Sequence, residues 1–297
     1  MLKRLRRLAA YLVVRILLKT AQVLPRTIGS AVFGMLGAVA YLCLAKSRKI
    51  AWANLRLVYG RGTPDKEIRG IAAATFVNLA KFAFDVARLK GQTPEGIKSL
   101  VKVTGRHHLD KALAKGKGVI ALTGHVGNWE LLGAYFSLMG YPVNVLATRL
   151  RDSRLNDQLV SLRDTVGLKV IERSRGLKQA FRCLRRGEVL GVLIDQDTSV
   201  DSVIVDFLGQ PAKTAVGPVK LAARTGASIV PLAMLLMDDG SYHIKVREPL
   251  HIGGHSDALK CDVEECSKAI EGFIYEKPSQ WVWMHRRWKS VRSDIYR

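Results

Sequence analysis

The first 64 positions of this chain contain no acidic residue. Cysteine is scarce as well: Cys43, Cys183, Cys261 and Cys266 lie scattered, with no C-x-x-C pair and no histidine at metal-finger spacing. That distribution argues against a zinc module or a disulfide scaffold and suits reduced thiols in a cytosol-facing protein. Internal repeats, low-complexity tracts and long linkers are also missing, which sets aside solenoids and tethered modules. What remains is a chain of 297 residues, 48% hydrophobic, with a mean hydropathy of +0.08. It is long enough for one large domain or two ordinary ones, and too apolar to be disordered.

Lys and Arg number 47 against 25 Asp and Glu, a net charge of +22, which calls for an anionic partner: nucleic acid, an acidic membrane surface, or an acidic carrier or phosphorylated substrate. Twelve of the cations precede Asp65, interleaved with two apolar stretches, Leu8 to Leu24 and Ile28 to Ala45. Cations among apolar residues suit anionic lipid headgroups better than a nucleic-acid groove. In the first stretch Arg4, Arg7, Tyr11, Arg15, Lys19 and Gln22 recur at steps of three and four, the pattern of an interfacial amphipathic helix that stops near Pro25. The second stretch holds 18 uncharged residues, about 27 Å of helix against a hydrocarbon core of about 30 Å. Spanning and lying on the bilayer both stay open, as does packing of both helices on the protein core. Arg48 and Lys49 would mark a cytoplasmic end if the second helix spans. Arg15 and Lys19 interrupt the first run and argue against a cleaved secretory signal, despite Ala38-Val-Ala40.

From Val101 onward short β-type runs alternate with helical patterns. Strands are expected at Gly118 to Leu122, Pro142 to Thr148, Leu168 to Ile171, Val189 to Ile194, Val203 to Phe207, Ile229 to Leu236 and Tyr242 to Val246. Helices are expected at Trp129 to Met139, Leu155 to Thr165, Leu177 to Arg186, Val216 to Thr225 and Asp257 to Glu276. This alternation predicts an α/β fold with helices on the faces of a sheet. No crossover helix fits between Val189 and Phe207, so the sheet is expected to be mixed. Trp52 to Leu89 reads as helix broken at Gly60 to Pro64, with Thr63 or Asp65 as a cap. The softest boundary lies at Ala45 to Ala51, separating membrane-associating helices (1–46) from a globular unit (47–297).

One segment reads as an active site: Leu122-Thr-Gly-His-Val-Gly-Asn-Trp-Glu130, a strand that runs through a glycine-flanked histidine into a helix start. Ligands of open α/β sheets bind at the carboxyl ends of strands, where His125 falls, and Gly124 and Gly127 permit a sharp turn and close approach. If Asn128 caps a helix containing Glu130, that carboxylate could reach back to one imidazole nitrogen and leave the other as a base. Spacing alone equally allows a turn histidine and a first-turn carboxylate favoured by the helix dipole. His107 and His108 read as loop residues, and no metal site is expected.

These residues resemble the H-x4-D/E motif of glycerolipid acyltransferases, in the Glu form typical of the lipid A late acyltransferases. The resemblance extends over nearly the whole chain, through Ser47-Arg-Lys-Ile-Ala-Trp-Ala-Asn-Leu, Thr148-Arg-Leu-Arg-Asp followed by Arg163, Leu193-Ile-Asp-Gln-Asp197, Asp206-Phe-Leu-Gly-Gln-Pro-Ala-Lys-Thr214 and the Trp283-Met-His-Arg-Arg ending. It implies a mixed sheet flanked by helices, with N-terminal membrane-associating helices. His125 would be the general base towards an acceptor hydroxyl and Glu130 would orient it; Arg149 and Arg163 would meet a phosphate of a substrate. An acyl carrier protein thioester would be the donor, a lipid A precursor the acceptor, and no cofactor or metal would be needed. The place implied is the cytoplasmic face of a bacterial inner membrane.

The Phe-Pro-Glu-Gly-Thr-Arg block of the glycerol-phosphate branch is absent, which argues against a glycerol-3-phosphate or lysophosphatidate enzyme. Phosphatidylinositol mannoside acyltransferases resemble the same branch and differ in the acceptor. Asp195 to Asp197 follow a strand and could cap or brace a turn. Trp281, Trp283 and Trp288 read equally as interfacial anchors or core, and His285, Arg286 and Arg287 as phosphate ligands or a solvated tail. Two rival classes stay open: a basic nucleic-acid-binding protein, which leaves the apolar N-terminal helices unexplained, and a non-catalytic membrane scaffold, in which His125 would be replaceable.

Overall fold

A computed structural model of the chain describes residues 2–150, 152–173, 176–253 and 258–296, with side chains from Tyr11 onward. The side chains of Lys3, Arg4, Arg6, Arg7 and Leu8, and residues Arg151 and Asp257, lie outside what is described. Pro25 separates α1 (Leu2–Val23) from α2 (Arg26–Cys43). The polar line along α1 is partly turned to protein: Gln22 donates to the Ala87 carbonyl at 3.3 Å, and the Arg154 guanidinium lies 4.6 Å over the Tyr11 ring. Leu12, Val13, Ile16 and Val23 are exposed on α1, as are Ile28, Met35, Leu36, Val39 and Leu42 on α2. The N-terminal helices therefore carry an outward apolar surface larger than scattered single residues would make.

The inward face of α2 lies along α4 (Asp65–Ala87) and is built from Gly29, Phe33, Gly34 and Gly37. A Cβ on Gly37 would stand 2.5 Å from the Phe76 carbonyl oxygen. That obstacle is backbone and cannot swing aside. A Gly37→Leu chain is accordingly expected to lose about 2 kcal/mol of stability by overpacking, read as a lower melting temperature; an unchanged melting temperature would mean α2 is not held this way. Between these helices, α3 (Ala45–Tyr59) begins after Leu44 and ends at Gly60, whose φ of +80° suits glycine. Neither Thr63 nor Asp65 caps α4. Pro64 occupies the cap position, Thr63 turns back to the Tyr59 carbonyl, and Asp65 and Glu67 sit in the first turn, where the dipole favours them.

The remaining chain alternates as α5 (Pro94–Leu100), β1 (Val101–Thr104), α6 (Arg106–Leu113), β2 (Val119–Thr123), α7 (Trp129–Leu138), β3 (Val143–Ala147), α8 (Ser153–Asp164), β4 (Lys169–Glu172), α9 (Leu177–Arg185) and β5 (Val189–Leu193). Then come β6 (Ser202–Phe207), β7 (Gln210–Ala215), α10 (Gly217–Thr225), β8 (Ser228–Leu236), β9 (Tyr242–Val246) and α11 (Leu259–Glu276). Seven strands form one sheet in the order β1-β9-β8-β2-β5-β3-β4. The sheet is mixed, as expected, but for a different reason. The lack of a crossover after β5 reflects a hairpin, β6–β7, that leaves the sheet, while the antiparallel pair within the sheet is β8–β9.

Central β2 is flanked by β5 and β8, both parallel to it, and all five of its residues are buried. A strand covered on both faces needs an unbroken apolar run, which Val119-Ile-Ala-Leu122 supplies. Alternation then divides the core: Val119 and Ala121 face a cluster containing Leu131, Leu132, Tyr135 and Phe136 of α7. Ile120 and Leu122 face another, which gathers α3, α9, α10, α11, the β6–β7 hairpin and Trp281, Trp283 and Trp288. The three indoles are thus core residues, each 1% exposed or less.

Candidate active site

β2 ends at Thr123, and the five residues that follow turn the chain into α7. Asn128 caps that helix, its Oδ1 accepting from the Leu131 N–H at 3.1 Å. Two glycines make the turn possible. At Gly124 a Cβ would fall 2.7 Å from Ile270 and 3.1 Å from the Asp195 carboxyl, and at Gly127, with φ +62°, it would fall 1.9 Å from the Met234 carbonyl oxygen. The turn is also sewn to the end of the chain. The Gly127 N–H donates to the Gln280 carbonyl at 2.9 Å, and the Val282 N–H donates to the His125 carbonyl at 3.2 Å.

His125 is thereby placed beside the residue that follows β5. Because β5 runs parallel to β2 with Thr123 opposite Leu193, Asp195 comes level with His125. The His125 Nδ1–H donates to Asp195 Oδ1 at 2.8 Å. Asp195 Oδ2 accepts from the His125 backbone N–H and from Trp281 Nε1, each at 2.7 Å. The carboxyl is 1% exposed. Burial alone would raise its pKa, but the imidazole and these hydrogen bonds outweigh burial and hold it down at about 2. An anionic acceptor on Nδ1 fixes the tautomer, so Nε2 carries the lone pair of the neutral ring. The imidazole is 23% exposed and meets the Trp129 ring at 5.0 Å.

The structure corrects the expected pairing of His125 with Glu130. The carboxylate that orients the imidazole is Asp195, while Glu130, in the first turn of α7, takes a two-pronged ion pair from Arg163 of α8 at 2.9 and 2.5 Å. Both members of that pair are largely buried. The Arg163 fork is therefore occupied by Glu130, not offered to solvent. Arg149 lies exposed in the loop after β3. Asp197 does brace a turn, accepting from Ser290 N and Oγ at 2.8 Å each. Arg287 is fully buried: it donates to the Lys213 carbonyl and to Thr214 Oγ1, and burial pushes its pKa down to about 10. It is a structural cation, neither a solvated tail residue nor a phosphate ligand. His107 and His108 stand on α6, their ring centroids 4.0 Å apart and their planes tilted by 41°, not in a loop.

A polar chain connects the turn to the N-terminal helices. Asn128 Nδ2 donates to the Tyr242 hydroxyl at 3.2 Å, Tyr242 donates to Asp85 at 2.8 Å, and Asp85 accepts a bidentate pair from Arg26, the first residue of α2. None of Asp195, Trp281 and Tyr242 carries a local motif as a site residue. For Asp195 the signals are the strand end before it and its place in the Leu193-Ile-Asp-Gln-Asp197 block, neither of which assigns it to His125.

Beneath the turn, between α7 and the sheet, lies a narrow apolar pocket. Thr123, Trp129 and Leu193 line it at the carboxyl ends of the strands, and Phe136, Val143 and Val189 at the other end. Over the five residues from Val189 to Leu193 the strand advances about 13 Å. Thr123 is 5% exposed, and its hydroxyl has no hydrogen-bond partner among the described residues. A buried hydroxyl left this way costs about 1–3 kcal/mol.

Residues 1–290 match the family model described as bacterial lipid A biosynthesis acyltransferase. The phosphatidylinositol mannoside acyltransferase of Mycolicibacterium smegmatis is 24% identical over 93% of this chain and 90% of its own length. That of Mycobacterium tuberculosis is 33% identical, but over 43% of this chain and 42% of its own length, so the chain spans less than half of that relative. The lipid A biosynthesis lauroyltransferase of Escherichia coli K12 is 24% identical over 86% of this chain and 83% of its own. Among solved structures, the 1-acyl-sn-glycerophosphate acyltransferase of Thermotoga maritima aligns with a TM-score of 0.40 at 15% identity, covering 86% of this chain and 99% of that one.

Proposed function

Because this chain belongs to the bacterial lipid A biosynthesis acyltransferase family, we propose that it moves a fatty acyl chain from an acyl carrier protein thioester to a hydroxyl of a lipid A precursor. The observation that carries the reading is the imidazole of His125, its Nδ1–H committed to Asp195 and its ring against Trp129, which lines an apolar pocket. That is a general base beside a slot for hydrocarbon.

In this mechanism Nε2 takes the proton of the acceptor hydroxyl as its oxygen attacks the thioester carbonyl carbon. The C=O bond opens to an oxyanion, and Asp195 stabilises the imidazolium formed. Collapse re-forms the carbonyl and breaks the C–S bond, and the departing thiolate takes its proton from the imidazolium. Glu130 acts as a positioning residue, tying the start of α7 to α8 through Arg163. Arg149 is the guanidinium that meets the phosphate of the donor. The outward apolar faces of α1 and α2, with their flanking cations, seat residues 1–46 on the cytoplasmic face of the inner membrane. The surplus of +22 draws in an acidic carrier protein.

The test is label transfer. Membranes carrying the full chain are incubated with radiolabelled acyl carrier protein thioester and either a tetra-acylated, Kdo-bearing lipid A precursor or a phosphatidylinositol mannoside. Label is expected in the first lipid. Label confined to the mannoside would replace the acceptor, a second reading favoured by the 33% identity to the M. tuberculosis relative. Label in neither lipid would overturn the proposal.

A further inference from the structure

The hydroxyl of Thr123 is the one feature of the pocket that apolar packing does not explain. The four residues before it in β2 are apolar and buried. Valine would continue the run with the same shape and leave nothing unsatisfied. Thr123 instead carries a buried Oγ1 with no partner into a pocket lined around it by Trp129, Leu193, Ala121 and Leu232. Buried polar groups in folded proteins are almost always paired, and a residue that breaks the local packing rule marks a functional position. A polar atom that enters the pocket can supply that partner.

Position says which atom that is. Thr123 is the last residue of β2 and stands two residues before His125, at the carboxyl end of the sheet. An acyl chain laid along the pocket is hydrocarbon throughout its length and polar only at its thioester. The reaction requires that end to lie beside Nε2 of His125, at the carboxyl ends of the strands. We infer that the Thr123 hydroxyl donates its hydrogen bond to the carbonyl oxygen of the bound acyl thioester, and holds that oxygen as it becomes the oxyanion. Thr123 is then a further catalytic residue of the proposed acyl transfer, on which this inference rests. Its hydroxyl neither gains nor loses a proton. The acceptor's proton goes to His125 and then to the departing thiolate, and Thr123 strengthens one hydrogen bond as charge builds on the carbonyl oxygen.

The test uses the full chain as wild type, Thr123→Val and Thr123→Ser. Thr123→Val should lower kcat for acyl transfer about 100-fold, the scale of a single oxyanion donor, while KM for the thioester stays within about twofold because the same apolar walls remain. Thr123→Ser, which restores a donor, should recover most of the loss. The melting temperature of Thr123→Val should not fall, since the hydroxyl it removes is bonded to no group among the described residues. A second readout needs no turnover. With a ¹³C-carbonyl acyl thioester bound to His125→Ala protein, the carbonyl stretch should move to higher frequency when Thr123→Val is added. Wild-type kcat in Thr123→Val, or a loss of kcat that follows a fall in melting temperature, would overturn the assignment. So would a bound carbonyl band that Thr123→Val leaves in place. A failure to find any bound thioester would instead overturn the acyltransferase reading, and this assignment with it.

Discussion

Replacing Asp195 with asparagine should lower kcat for acyl transfer by roughly 10³- to 10⁴-fold with little change in KM, and His125→Ala should leave no transfer above background. The asparagine result follows from how the two carboxylate oxygens are shared. Oδ2 accepts from the His125 backbone and from Trp281, and Oδ1 accepts from Nδ1 of the ring. An asparagine keeps the first two bonds by turning its carbonyl oxygen towards them, which aims its amide N–H at Nδ1. The ring must then accept at Nδ1 and carry its proton on Nε2, so the nitrogen left for the acceptor hydroxyl is no longer a base. The fold should survive, because the backbone and indole hydrogen bonds are retained. The measurement is kcat and KM with the carrier thioester, alongside the melting temperature. A variant with wild-type kcat would remove Asp195 from the mechanism. The wild-type carboxyl, held at about 2, stays anionic as pH falls until that value is approached. Acid loss of turnover well above it must therefore come from another group.

How the site came to be half legible in the sequence is a matter of which contacts are local. His125, the flanking glycines, the Asn128 cap and the apolar run of β2 all lie within ten residues, and their chemistry could be read from spacing. The His125–Asp195 bond joins residues 70 apart. It exists because β5 lies beside β2 in parallel, an adjacency that alternation of strands and helices predicts in kind but not in order. Trp281 reaches the same carboxylate from 86 residues away, through a segment whose indoles read equally as interface or core. Local spacing pointed to Glu130 because five residues is near in sequence. In the folded chain Arg163 is the closer claim on that carboxylate, and an anion in the first turn of a helix is well placed whether or not it touches the histidine. The fold was more legible. The missed strands were β1, only four residues long, and β7, whose Gln210-Pro-Ala-Lys-Thr-Ala sequence lacks an apolar alternation.

Removing one partner of the Glu130–Arg163 pair should be the most damaging change to stability in the site. Arg163 is 9% exposed, and its guanidinium and the Glu130 carboxylate satisfy each other with two hydrogen bonds at 2.9 and 2.5 Å. Arg163→Ala leaves a carboxylate enclosed without its counter-charge, and such a loss costs about 3–5 kcal/mol. The melting temperature should fall by roughly 5–10 °C. The double change Glu130→Leu with Arg163→Met should regain much of that loss, since a well-packed apolar pair of similar volume avoids the desolvation both charges suffer. Activity then separates positioning from substrate binding. If Glu130 and Arg163 act by fixing α7 against α8, and so the turn that holds His125, the restored double variant should recover kcat along with its melting temperature, with KM for the thioester unchanged. If the guanidinium instead touches a phosphate of the donor, Arg163→Ala and the double variant should both raise KM, whatever their stability. The geometry of an already occupied fork favours the first outcome. A tenfold rise in KM in the refolded double variant would overturn it.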